Sequence, residues 1–246
     1  MATQQTVLVL GGTGRTGGHV VSQLLGRGVR VRAIVRSADR VPEGVAADAG
    51  FSCLEADFVS MTETDLAAQV RDCDAVISCL GHNINFKGIF GQPRALVTEA
   101  VRRLCGAIET PRPDGPVRFV LMSSVSVNRP GAVESRRGVP EKVVLWLLRA
   151  VFPPAKDNQQ AAEFLDREIG TRDTRLEWVC VRPDTLLEGE VSPYAVHETI
   201  VASLFRPGST NMANVAHFMC ELVQDRGMWG KWMGKLPVVV NAAQDG

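Results

Sequence analysis

Tyrosine is almost missing from this sequence: the 246 residues contain one, Tyr194. Net charge is missing too, since Lys+Arg and Asp+Glu number 27 each. That balance, with no basic block along the chain, removes the electrostatic reason to expect nucleic acid or an anionic membrane as partner. The six cysteines (Cys53, Cys73, Cys79, Cys105, Cys180, Cys220) form no CxxC pair. Several lie in apolar runs and read as reduced, buried thiols of a cytosolic protein. The four histidines are scattered without metal-ligand spacing, so no metal site is expected. No apolar run is long enough to span a bilayer, and the short polar N-terminus does not read as a signal peptide. A cytoplasmic protein without membrane contact is the expectation.

What the sequence does have is alternation. Thr6–Leu10, Arg30–Val35, Phe51–Glu55, Ala75–Cys79, Val117–Met122 and Leu176–Val181 are short runs rich in Val, Ile and Leu. Apolar on both faces, they fit strands covered on both sides of a parallel sheet. Between them, Arg15–Gly26, Met61–Val70, Gln92–Cys105, Val139–Val151 and Asp157–Ile169 show helical patterning. This predicts an α/β doubly wound parallel sheet (a Rossmann fold) with right-handed crossovers. Residues 183–210 lose the periodicity and read as a small C-terminal cap or substrate region within one domain, 1–246. A helix over Asn211–Val223 and a strand over Pro237–Val240 follow.

The first crossover is "GGTGRTGG", five glycines in eight residues directly after an apolar strand. Gly11 and Gly12 suit a sharp turn, Gly14 a close approach of backbone to a pyrophosphate, and Gly17 tight packing of helix on strand. The peptide N–H groups of Gly11–Gly17, with Thr13, Arg15 and Thr16 among them, then meet phosphate at a helix N-terminus. An NAD site wants an acid at the end of the second strand; here "AIVRSADR" puts Arg36 there. A guanidinium suits a 2′-phosphate, with Arg15 as a second, so NADP(H) is favoured over NAD(H). In "LEADF", Asp57 is placed to accept from the adenine amino group with Phe58 beside the ring, although Asp57 reads equally well as a helix cap. In "ISCLGH", Leu80 and Gly81 are placed against the ribose and phosphates.

With "GGTGRTG", "IVRS", "EADF", "FVLMSSVSV", "DNQQAAEFL" and "VCVRPDTL" in place, the chain resembles the atypical NAD(P)H-binding branch of the short-chain dehydrogenase/reductase superfamily. That branch includes NmrA-like proteins and the flavin reductase/biliverdin reductase B type. The resemblance implies a cofactor crevice closed by Ser123 and Pro183, and an active-site serine at Ser124. Familiar members use a Tyr and a Lys one helical turn later. This sequence departs from that pattern: matching "AAE" (161–163) to the family puts Gln159 at the Lys position and Ala155 at the Tyr position, with Lys156 out of step.

Two functional classes remain open. One is a reductase passing hydride to a conjugated acceptor such as flavin or quinone, chemistry in which the cofactor carries the hard step and no dedicated tyrosine acid is needed. In that reading Ser124 orients the acceptor, Tyr194 stacks or donates from the cap, and His197 relays a proton. The other is an NADP(H)-responsive regulator without turnover, as the NmrA-like resemblance implies. The segment "EKVVLWLLRAVFPP" (141–154) is apolar on nearly every side. It reads as a helix wedged between sheet and cap, or alternatively as an apolar wall for a ring substrate or an oligomer contact. Trp229 and Trp232 read as core or lid packing.

Overall fold

A computed structural model describes residues 4–81, 95–108, 115–129 and 138–242. Seven strands run parallel: β1 (Thr6–Leu10), β2 (Arg30–Val35), β3 (Phe51–Glu55), β4 (Ala75–Ser78), β5 (Val117–Met122), β6 (Leu176–Pro183) and β10 (Val238–Asn241). A short strand, β8 (Tyr194–His197), pairs antiparallel with β10 and closes one edge. The sheet order is β3-β2-β1-β4-β5-β6-β10-β8. The order reverses between β1 and β4, and in such sheets the carboxyl ends at the reversal form the ligand crevice.

The central strands are buried on both faces because they are apolar at successive positions, while the edge strand β3 is largely exposed. Val7 and Val9 of β1 face one helix layer, and Leu8 and Leu10 face the other, all fully or nearly fully buried. The first layer holds α1 (Arg15–Gly26) and α7 (Met212–Gln224). Helix α1 turns Val20, Val21 and Leu24 onto the sheet. Leu24 is completely buried, so Leu24→Ala is expected to cost about 2–5 kcal/mol. Between the two helices, the Gln23 side-chain amide donates to the Ala213 carbonyl at 3.0 Å and Arg27 pairs with Glu221 at 2.8 Å. On the second face lie α3 (Glu63–Val70), α4 (Leu96–Ala107) and α6 (Pro153–Phe164), with a π-helical turn Leu165–Ile169 extending α6.

Several boundaries differ from expectation. The α6 helix starts at Pro153 rather than Asp157, because proline fits a first helical turn. The α3 helix starts at Glu63, capped by Thr62, whose hydroxyl accepts from Asp65 N. Part of the expected helix Gln92–Cys105 falls outside the described residues, and α4 begins at Leu96. A short helix, α2 (Glu43–Ala46), and α8 (Arg226–Trp232) were not expected. In the 183–210 region, β7 (Thr185–Leu187) pairs with β9 (Ser209–Asn211), while β8 joins the main sheet. Trp229 and Trp232 are core residues, 5% and 1% exposed.

Helix α5 (Val139–Val151) overturns the expected burial of the apolar segment. It lies against α6, and Leu145 is 1% exposed, while Val143, Val144, Trp146 and Leu147 are 39–68% exposed. The reason is position: α5 meets α6, and its described apolar side chains other than Leu145 lie at the surface.

Candidate functional site

The turn from β1 to α1 is built so that only glycine fits it. Gly11 has φ +75°, and a Cβ there would stand 2.7 Å from the Cys79 carbonyl oxygen on β4. A Cβ on Gly17 would stand 2.1 Å from the Gly11 carbonyl oxygen. The loop is closed by Gly14 N donating to Gly11 O at 2.9 Å. Gly12 and Thr16 are buried, Thr13 is half-buried, and Gly14 and Arg15 are exposed. Gly14 is the N-cap of α1 and has no side chain to accept from the first-turn N–H groups, and no acid sits in that turn. The N–H groups of the first turn therefore face the crevice with the positive end of the helix dipole behind them.

Around this turn the strand ends supply the rest. Arg36 is exposed at the end of β2. Glu55, paired with Val35 across β2 and β3, accepts from Ala38 N at 2.9 Å. Leu80 is half-buried and Gly81 exposed beyond β4, with open space around Gly81. Pro183 ends β6 and accepts from Val125 N at 3.1 Å, tying β6 to the segment after β5. One contact was not expected: Glu188, just past β7, reaches Arg15 at 3.6 Å, both side chains largely exposed. Glu188 lies in the stretch without periodicity, so no local pattern announces the pairing.

Ser124 stands at the carboxyl end of β5. Its Oγ lies 2.6 Å from Ser126 Oγ and accepts from Ser126 N at 3.2 Å. If the Ser126 hydroxyl donates to Ser124, the Ser124 proton points outward and can be given to a ligand. A second hydroxyl does not raise nucleophilicity as an imidazole would, so Ser124 is suited to orient a ligand. Ser123, 7% exposed, alternates to the face of Leu121 and turns its side chain into the α4/α6 layer, beneath the crevice. Cys79, at the crevice floor, is pushed up to about 12 by burial and then by Cys220 nearby. It is a protonated, inert thiol at neutral pH.

Packing corrects the reading of Phe58 and of the pair Tyr194 and His197, and it agrees with the cap reading of Asp57. Phe58 does not lie beside the crevice: it is 6% exposed, belongs to the core, and carries the Arg103 guanidinium 5.3 Å from its ring centre. Asp57 caps its own turn, accepting from Val59 N at 3.2 Å, though its side chain remains at the surface. Tyr194 and His197 are not brought to Ser124. Their strand β8 is three positions from β5 in the sheet, about 14 Å at ordinary strand spacing. Tyr194 packs on the α1/α7 layer and hydrogen-bonds His217 Nδ1 at 2.8 Å. Burial, then Glu221, pushes the Tyr194 phenol up to about 12, and burial, then Arg27, holds the His217 imidazole below its usual value. Phenol and imidazole are thus both neutral near pH 7, and which of the two donates follows the imidazole tautomer. The α6 positions matched to the family pair do other work: Ala155 is buried, and the Gln159 amide both donates to Asn128 O (3.1 Å) and accepts from Asn128 N (3.0 Å).

Comparison with known proteins agrees with this geometry. The model of a family described as NAD(P)H-binding matches residues 11–226. An uncharacterized chloroplastic protein of Arabidopsis thaliana is 30% identical over 224 residues, 83% of this chain and 73% of that one. Among solved structures, an anaerobillin reductase of Escherichia coli O157:H7 is similar with TM-score 0.68 at 16% identity, covering 98% of this chain and all (100%) of that one. A short-chain dehydrogenase/reductase of Veillonella parvula, crystallised with NADP, is similar with TM-score 0.66 at 13% identity, covering 97% and 95%. At these identities the two structures speak for the fold.

Proposed function

Since the chain belongs to the NAD(P)H-binding family, by a match over residues 11–226, we propose that it is an NADP(H)-dependent reductase passing hydride to a conjugated acceptor such as a flavin or quinone. The observation that carries this reading is the first turn of α1. Its cap has no side-chain acceptor and no acid, and Arg36 stands exposed at the end of β2 where an NAD site would hold a carboxylate. The pyrophosphate binds the N–H groups of Gly12–Gly17. Arg36 and Arg15 take the 2′-phosphate, and Glu188 yields Arg15 as the nucleotide enters. Leu80 and Gly81 lie along the ribose.

The nicotinamide supplies the hydride. The chain's own contribution is orientation: Pro183 walls the ring, and Ser124, held by Ser126, donates a hydrogen bond to a carbonyl or ring nitrogen of the acceptor. The Ala155 and Gln159 positions offer no phenol and no ammonium, and Tyr194 is occupied by His217. An acceptor able to take hydride without a dedicated protein acid fits those facts, and ordinary ketone reduction does not. Support also comes from a similar structure bearing the name of an anaerobillin reductase.

The test is oxidation of NADPH, followed by nicotinamide absorbance, against a panel of flavins and quinones. The expected result is turnover with at least one of them, faster with NADPH than with NADH, and slowed in Ser124→Ala. Tight NADPH binding without oxidation by any acceptor would overturn the reductase reading in favour of a nucleotide-responsive regulator.

A further inference from the structure

Nucleotide choice in a crevice of this kind is made at the adenosine ribose. A carboxylate there accepts from a free 2′-OH, and a cation holds a 2′-phosphate. The second strand ends in a cation, Arg36. The structure brings a carboxylate to the same corner from a different strand. Glu55 ends β3 and stands opposite Val35, the last residue of β2. Arg36 follows Val35 directly, so the Glu55 and Arg36 backbones are about 6 Å apart at ordinary strand spacing. No spacing along the sequence announces this neighbour, because the pairing of two strands creates it.

The Glu55 side chain has a fixed partner. Its Oε2 accepts from Ala38 N at 2.9 Å, which ties the carboxylate to the segment that follows Arg36. Glu55 and Arg36 are both exposed, so a ligand at the strand ends can reach either. One such bond leaves a carboxylate with further acceptor capacity, enough for a ribose hydroxyl. Asp39 is the other acid close in sequence to Arg36. It lies beyond Ala38 on the turn Ala38–Arg40, whereas the Glu55 carboxylate is held on Ala38 itself.

We propose that Glu55 is a second determinant of nucleotide choice. Its carboxylate accepts from the ribose 2′-OH of NAD(H) and repels the 2′-phosphate of NADP(H). The crevice therefore takes both nucleotides, and it prefers NADP(H) by less than Arg36 alone would give. Charges about 6 Å apart lie within the screening length of about 8 Å at physiological salt, so the repulsion is felt there and fades at high salt. This role rests on the proposed reading of the crevice as a site for NADP(H).

The test is calorimetric titration of NADPH and of NADH into the full chain, Glu55→Gln and Asp39→Asn, at low and at high salt. Glutamine keeps an oxygen for Ala38 N and loses the charge. For Glu55→Gln the expected result at low salt is NADPH binding about three- to tenfold tighter and NADH binding about two- to fivefold weaker. The gain for NADPH should shrink at high salt. An unchanged ratio of NADPH to NADH affinity in Glu55→Gln would overturn the proposal and leave Glu55 as a tie for the turn. An equal gain in Asp39→Asn would overturn it as well, because any lost carboxylate would then suffice. Arg36→Asp, titrated alongside, separates the two levels. Equal losses of both nucleotides there would sink the underlying placement of the 2′-phosphate. Selective loss of NADPH there, with the Glu55→Gln ratio unmoved, would sink the role of Glu55 alone.

Discussion

Arg36 stands exposed at the end of β2, and on the proposed reading its partner is a phosphate dianion. Arg36→Asp should weaken NADPH binding about tenfold to a hundredfold, the range of a lost charge-assisted bond, while NADH binding changes about threefold or less. Titration calorimetry decides it, and equal losses would take Arg36 out of the site. Gly17→Ala puts a methyl 2.1 Å from a backbone oxygen that nothing flexible can move. It should cost about 1–3 kcal/mol and suppress nucleotide binding, visible together in thermal melts with and without NADPH. For the Tyr194–His217 pair the sign follows from the imidazole, which folding holds below its ordinary value mainly by burial. The unfolded chain therefore binds a proton more readily, and this pair's contribution is present above the ordinary histidine range and lost as pH falls through the lowered folded value. Urea titrations at falling pH should show a stability loss that His217→Gln removes; an unchanged slope in that variant would place the sensitivity elsewhere. These residue-scale features were unevenly legible. The glycines and Arg36 announce themselves because their spacing follows a strand. Tyr194 and His197 read as site residues because they lie in the cap region, while the structure uses the tyrosine to pin an edge strand to α7.

Elements are held where side chains replace missing backbone partners. Asp157 of α6 caps the buried start of α4 by accepting from Val97 N, Thr98 N and the Thr98 hydroxyl. Asp157→Ala strands those donors in a dry site and should cost about 3 kcal/mol or more. Urea midpoints check this, and a loss under about 1 kcal/mol would mean α4 keeps another cap. Because α4 follows β4, whose end lines the crevice, the same variant should weaken nucleotide binding. The strands of the parallel sheet and α1 were legible to within a residue or two, since most are covered on both sides and largely apolar; β7, β8 and β9, short and only partly buried, were not. Helix α5 was legible as a helix but not as a surface. Its composition predicts burial wherever a partner element exists, and which elements stack on which is decided by topology. The start of α6 at Pro153 was hidden for a simpler reason: a proline reads as a break although it is a good first-turn residue.

For the whole molecule, the zero net charge argued against an anionic partner, yet net charge averages over faces. The cofactor crevice is likewise a property of the assembled sheet: β1, β4, β5 and β6 are distant in sequence and adjacent in space, and the reversal between β1 and β4 opens the cleft that the glycine turn lines. The central claim is that this turn holds the diphosphate of NADP(H), and the most direct test is amide NMR of the uniformly labelled protein titrated with NADPH. The account predicts saturable shifts that are largest at the N–H groups of Gly12–Gly17, with Arg36 responding to NADPH but not to NADH. Saturation without movement of those amides, or no saturable change at all, would contradict it.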